Sequence, residues 1–318
     1  MLLESFKITG SAVGQIFILG AIGYFLIRKN ILSQEGLAAL SRLVMEIILP
    51  ILIFYQLVKN FTFSAFRNWW IFPLISIAIT AAGLLLGFLF LGLIKGKQQR
   101  LQFLNLVGFQ NSGFLPLALV AALLPEDKMQ TMFIYLFLFL LGFNLLMFSL
   151  GVYLLTFTRQ KKFELGSLWS PPVVATIFTL IFIFFGLERF VPQMVFGPLN
   201  MIGQCLIPLS IFVVGGNLAQ IKLTRIDKVP MFLMVLAKLV ILPALGLWLI
   251  LRLRFPELLG LLILIELAMP PATMLSVITS HYKKQDLLVS QGILLGHLFG
   301  LISIPIFLSL YFAMNVVK

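Results

Sequence analysis

The sequence predicts an all-α polytopic membrane protein of about ten transmembrane helices. Three observations carry this. Hydrophobic residues make up 61% of the 318-residue chain, and the mean hydropathy is +1.09. Charged residues are 11%, under half of the ~25% usual in soluble domains. Apolar runs of ~20 residues, the length a helix needs to cross the hydrocarbon core, recur from end to end. A soluble fold has nowhere to hide so much apolar surface, whereas a bilayer replaces water around it.

The runs between charge clusters place spans at 7–28, 37–58, 70–94, 101–124, 129–158, 171–187, 195–219, 230–251, 256–280 and 286–312. Ile8 to Ile27 carries no charge and is closed by Arg28 and Lys29. No small-residue cleavage site follows, so it reads as a span and not as a removable signal. The fifth span is long for a bilayer and implies tilt or extension into solvent; the sixth is short. The longest connection runs only from Arg159 to Ser170, too little for a folded domain.

Net charge is +12. On a soluble protein this would suggest nucleic acid, but here the basic residues sit at the ends of apolar runs, where they set topology. No nucleic-acid partner is expected. Connections after odd spans hold Arg28, Lys29, Lys95, Lys97, Arg100, Arg159, Lys161, Lys162, Lys222, Arg225, Lys228, Lys283 and Lys284. The opposite side holds Lys7, Lys59, Arg67, Lys128, Arg189, Arg252, Arg254 and Lys318. The excess puts both termini outside and the 159–170 connection inside the cell. The single cysteine, Cys205, excludes an internal disulfide and a cysteine-based metal cluster, and reads as a small buried hydrophobe. No metal and no cofactor are expected.

The chain repeats itself. Leu49-Pro50 through Phe54 lines up with Ile207-Pro208 through Phe212, 158 positions later. Gln110-Asn111-Ser112-Gly113 lies opposite Met269-Pro270-Pro271-Ala272 at an offset of 159. Both offsets are about half the chain, which divides into a first five-helix repeat (1–158) and a second (159–318). An odd number of spans per repeat inverts the second relative to the first. Inverted repeats with interrupted helices are a secondary-transporter architecture.

Spans four and nine carry the interruptions. A polar Gln110-Asn111-Ser112-Gly113 run inside a span is costly unless it faces protein or water. Pro116 removes a backbone donor and clashes with the carbonyl four residues earlier. In span nine, Pro270 and Pro271 break the hydrogen-bond ladder just before Thr273. Non-helical backbone survives at such depth only inside protein or against a wet cavity. Asn111, Ser112, Gly113, Pro270, Pro271 and Thr273 are therefore the substrate-binding candidates.

Ionisable groups inside spans are functional candidates by default. Arg42 and Glu46 are four apart on one helix face and can pair with each other. Lys238 can offer charge to a carboxylate or pair with Glu266, and spacing does not choose between these. Glu266 lies one turn before Pro270 and is a candidate for proton coupling, because taking a carboxylate out of water is costly. His297 is the fifth candidate, with a packed, hydrogen-bonded role as the simpler alternative. Asp127, Asp227 and Asp286 lie in or beside connections, so no intramembrane Asp pair supports cation antiport. Gln15, Gln56, Asn105, Asn144, Asn200, Gln204, Thr273 and Ser276 are cavity-lining or helix-bonding candidates.

These residues resemble the auxin efflux carrier family, the bacterial relatives of plant PIN-type auxin exporters. The resemblance rests on the order of Gly23-Tyr24-Phe-Leu-Ile-Arg28 with Leu32-Ser33, Leu49-Pro50, Asn111-Ser-Gly-Phe-Leu-Pro116, Pro208 to Gly216, Lys238-Leu-Val-Ile-Leu-Pro243, and Ala268-Met-Pro270 running to His281-Tyr282. It covers nearly the whole chain. It implies ten spans in two inverted five-helix repeats, similar to bile acid/sodium symporters and NhaA. Spans 1, 2, 6 and 7 would form a scaffold, and spans 3–5 and 8–10 a transport part. Broken spans four and nine would cross at the substrate. The resemblance also implies export of small organic anions, such as malate, malonate or auxin-like acids, by an elevator-type movement. Asn111 matches the family's substrate-contacting asparagine and Pro270 its crossover proline. Gln110 departs from the plant pattern, which has a proline there; Pro271 departs too, standing where a polar residue is usual. Both departures put auxin itself in doubt.

Other functions fit less well. No Ser/His/Asp set, Cys/His cluster or phosphate-cradling motif lies in the spans, and the chain has two histidines in all. An enzyme or a primary pump is not expected, and a proton- or sodium-coupled symporter is the alternative carrier. The expected partners are an organic anion and the lipid bilayer, and a homodimer is compatible with the sequence.

Overall fold

The computed structural model describes residues 2–156, 169–221, 227–281 and 287–315. The topology-setting residues Arg159, Lys161, Lys162, Lys222, Arg225, Lys283, Lys284 and Lys318 lie outside them, as do Tyr282 and Asp286. Helix is the regular structure of the described residues, with no strand among them and one isolated bridge.

The helices are α1 Leu2–Arg28, α2 Gln34–Asn60, α3 Ile71–Leu89, α4 Lys97–Gly108, α5 Phe114–Leu123, α6 Glu126–Thr156, α7 Pro171–Phe184, α8 Gln193–Ala219, α9 Lys228–Leu253, α10 Glu257–Ala268, α11 Met274–His281 and α12 Leu287–Asn315. Seven of them, α1, α2, α3, α6, α8, α9 and α12, are long and apolar enough to cross a membrane. The runs read as spans four and nine are each two short helices, α4 with α5 and α10 with α11. The sixth run is the 14-residue α7, which rises only about 21 Å.

Local chemistry explains the ends and bends. Ser33 caps α2 by accepting from the Gly36 amide at 3.0 Å, satisfying one of the free first-turn donors. A wide π-turn at Val44–Ile48 precedes Pro50, and a second at Ala237–Ile241 precedes Pro243. Each proline withholds the amide that a regular turn would need, and the widened turn absorbs the defect. α8 is jogged at Cys205, three residues before Pro208, for the same reason. A third π-turn, Met147–Gly151, lies in the 31-residue α6 with no proline behind it.

Helix packing relies on small residues where backbones meet. α1 lies along α8 so closely that a Cβ on Gly215 would overlap the Gly20 carbonyl. Such contact is how helices associate when lipid offers no hydrophobic drive. Large apolar side chains face outward, among them Leu89, Phe184 and Met194, as lipid contact requires. Cys205 corrects the expectation of a buried thiol: it is exposed. A weakly polar thiol in an apolar surround needs no burial when the outer face meets lipid.

Candidate functional site

The two helix interruptions lie against each other. α4 ends at Gly108, and Phe109 turns extended (φ −112°, ψ 108°). α10 ends at Ala268, and Met269 turns extended (φ −65°, ψ 141°). The Asn111 amide donates to the Pro270 carbonyl at 2.8 Å, and the Ala272 amide donates to the Phe109 carbonyl at 3.0 Å. Gln110 thus stands opposite Pro271 as an antiparallel pair. In such a pair the flanking residues carry the bonds and the central one needs no donor. Pro271, which has no amide hydrogen, fits that position. The pairing satisfies backbone groups that two broken helices would otherwise leave bare.

α12 backs this junction. A Cβ on Gly296 would overlap the Pro271 ring, and Gly300 lies beside Pro270. Pro116 corrects a local expectation. It does not clash with a helical carbonyl four residues earlier but sits in the first turn of α5, where its missing amide hydrogen has no helical partner to lose.

A buried polar chain runs behind the junction. Lys238 is 1% exposed and Gln110 and Glu266 are 0% exposed. Lys238 Nζ reaches Gln110 Oε1 at 3.5 Å, and Gln110 Nε2 reaches Glu266 Oε2 at 3.5 Å. Both are long contacts, so Gln110 bridges the two ionisable side chains without tight bonding to either. Lys238 thus approaches Glu266 through Gln110 and does not line the cavity beside Asn111. Glu266 Oε1, Ser112 Oγ and Asn105 Oδ1 are buried with no hydrogen-bond partner among the described residues.

Asn111 lies on the other side of the junction. Its Nδ2 is 3.5 Å from His297 Nε2, and His297 Nδ1 is 2.8 Å from the Ile293 carbonyl. Asn111, Ser112, Gly113 and Thr273 line a cavity of about 60 Å³ together with Met45, Leu140, Asn144, Met147 and Met274. Gln110 also reaches it, and two of the three π-turns contribute lining residues. Among the described residues, no Lys, Arg or His lines it. α5 and α11 both begin at it, with Phe114 and Met274 on its wall. Thr273 also borders a second cavity of about 330 Å³, lined by Asn217, Gln220, Ser276 and Ser290.

The other sequence candidates separate from this site. Arg42 and Glu46 pair at 3.4 Å on an open face of α2, 76% and 49% exposed. Neither lines the cavity. Pro270 and Pro271 shape the junction, while Ala272 after them meets the cavity. Of the polar list, Asn144 and Thr273 line the first cavity and Ser276 the second. Gln56 is bonded by Asn60 at 2.8 Å, Asn105 Nδ2 bonds the Leu101 carbonyl, and Gln15 and Gln204 are exposed.

The family of membrane transport proteins matches the chain over residues 10–166 and 155–308. The chain belongs to that family, the auxin efflux carriers. An uncharacterized transporter from Methanocaldococcus jannaschii is 26% identical to this family member over 300 residues, 92% of this chain and 95% of the archaeal one. Protein PIN-LIKES 6 of Arabidopsis thaliana is 30% identical over 129 residues, 40% of this chain and 30% of the plant protein. The match to the plant protein thus spans under a third of its length. As a member of this transporter family with seven membrane-length apolar helices, the chain is a multi-pass membrane protein. The residue of this carrier that sequence reasoning passes over as a site candidate is Gln110. Its signal was present: it opens the polar run and replaces a proline of the plant pattern.

Proposed function

We propose that this protein is a secondary carrier that exports small organic anions across the cell membrane, with Asn111, Ser112, Gly113 and Thr273 forming the substrate site. The observation that carries the reading is the start of two half-helices, α5 and α11, at one small cavity. Helix N-termini present unbonded amides and the positive end of the dipole, and transporters use them to hold carboxylates. The walls supply the hydroxyls of Ser112 and Thr273 and the carboxamides of Asn111 and Asn144. The carboxylate is thus held by dipoles and hydroxyls, with Lys238 one residue removed behind Gln110.

The ten-span arrangement follows from the same reading. α4 with α5 makes the fourth span and α10 with α11 the ninth, and these two cross at the substrate. The halves 1–158 and 159–318 are inverted repeats. α1, α2, α7 and α8 form the scaffold, and the remaining helices carry the site past it as an elevator. Two features support this division: α1 lies along α8 with backbones in contact, and the Tyr55 and Phe54 rings of α2 pack on α8 and α7. The cavity of about 60 Å³ has room for a few water molecules, so substrate entry requires the walls to part, as alternating access does. The Lys and Arg excess supports an orientation with both termini outside the cell. The Lys238–Gln110–Glu266 chain is the candidate coupling element.

Uptake of radiolabelled malate, malonate and indole acetate into proteoliposomes, with and without a pH gradient, tests the reading. Flux of at least one acid is expected. Asn111→Ala should abolish it while the protein still folds and inserts. No flux of any acid, or wild-type flux in that variant, would count against the assignment.

A further inference from the structure

The hydrogen-bond logic of His297 fixes what Asn111 can show to the cavity. A backbone carbonyl only accepts, so the 2.8 Å contact to Ile293 requires a hydrogen on His297 Nδ1. In the neutral ring, Nε2 then carries a lone pair and no hydrogen. The Asn111 group facing it at 3.5 Å must be the donor, which is the amide nitrogen. The carbonyl oxygen, at the opposite edge of the carboxamide, is left to the cavity that Asn111 lines. His297 is 1% and Asn111 5% exposed, so water does not compete at this contact. A Cβ at Gly296, the residue beside His297, would overlap Pro271, so the ring rides on the element that backs the junction.

We propose that His297 is a positioning residue that turns the Asn111 carbonyl oxygen into the cavity, so that the site selects acids carrying a hydrogen-bond donor as well as a carboxylate. The inference rests on the anion-carrier reading and deepens it. Ser112 Oγ is a buried hydroxyl that makes no close hydrogen bond, lies near the Glu266 carboxyl and lines the same cavity, where it can donate to a carboxylate. Asn111 Oδ1 is an acceptor and opposes one. A ligand that satisfies both brings a carboxylate to the hydroxyls and the α5 N-terminus, and an O–H or N–H to Asn111. A plain carboxylate leaves the Asn111 oxygen without a partner in a narrow pocket, the situation in which sites discriminate most strongly.

Two measurements test this in the full-length protein. The first uses ¹⁵N-histidine labelling in lipid nanodiscs. The chain has two histidines, so a His281→Gln background isolates His297. The expected spectrum shows a protonated Nδ1 and a bare Nε2, and Asn111→Leu should move the Nε2 resonance. An Nε2-protonated or doubly protonated ring, or an Nε2 signal indifferent to Asn111→Leu, overturns the orientation.

The second compares binding of malate with succinate, which differ by one hydroxyl. Wild type should prefer malate by more than about tenfold. His297→Gln retains an acceptor and should keep the preference, while His297→Leu should lose it. Equal binding of the two acids by wild type overturns the selectivity. Binding of neither acid sinks the anion reading and the selectivity with it, while the ring spectrum still decides the orientation of Asn111.

Discussion

The amide of Asn111 and the carbonyl of Pro270 lie 2.8 Å apart. This bond ties the break in the first half of the chain to the break in the second. The two residues are 159 positions apart, and the register between them is set by chemistry. Pro270 and Pro271 have no amide hydrogen, so the second segment bonds through the Pro270 carbonyl and the Ala272 amide. Everything nearby has to respect that register.

Gly296 is the first place to test it. Its ideal Cβ would overlap the Pro271 ring, and neither a proline ring nor the paired backbone behind it can give way. Gly296→Ala should destabilise the protein by about 1–3 kcal/mol, the usual cost of overpacking. Thermal unfolding in detergent reads this directly. An unchanged midpoint would mean that α12 does not press on the junction as described.

The Lys238–Gln110–Glu266 chain calls for a double-mutant cycle. Lys238→Met alone leaves the buried Glu266 carboxyl without its basic partner, and Glu266→Gln alone leaves the buried Lys238 amine without its acidic one. Removing one partner of a buried pair costs about 3–5 kcal/mol, whereas removing both is much milder. The variant with both substitutions should therefore be more stable than the sum of the single effects requires. Strict additivity would show that the two charges do not sense each other across Gln110.

Much of this was legible in the sequence, and the reasons differ by residue. The seven membrane-length helices follow from run length, because lipid admits only closed hydrogen bonding. The breaks follow from Pro270, Pro271 and the polar run at Gln110, which no regular membrane helix accommodates. The role of Gln110 was not legible, because a bridging contact depends on which helix brings Lys238 behind it. The exposure of Cys205 and of the Arg42–Glu46 pair was not legible either. An apolar run in a membrane protein is hydrophobic on both its lipid and its protein face, so periodicity no longer tells inside from outside. Pro116 was read as clashing with the carbonyl four residues earlier because the sequence does not say that a new helix starts two residues before it.

The Arg42–Glu46 pair yields a contrasting expectation. Its side chains are 76% and 49% exposed, and an open i,i+4 pair contributes about 0.3–0.5 kcal/mol. Arg42→Ala should leave the unfolding midpoint nearly unchanged and malate flux at the wild-type level. A large loss of flux without loss of stability would return the pair to the list of coupling groups.

Gly113 separates site from scaffold most cleanly. It caps α5 at φ −95° and ψ −75°, a conformation that does not require glycine, and its ideal Cβ meets nothing within 4 Å. The space it would enter belongs to the cavity of about 60 Å³, in which every added methyl group is a large fraction of the room. Gly113→Ala and Gly113→Val should both fold and insert, with stability within about 0.5 kcal/mol of wild type for the alanine. Malate flux should fall in the order wild type, alanine, valine, because the side chain grows into the position a carboxylate would take at the α5 N-terminus. Full flux in Gly113→Val would move the substrate site away from this junction, since no ligand could share the cavity with that side chain.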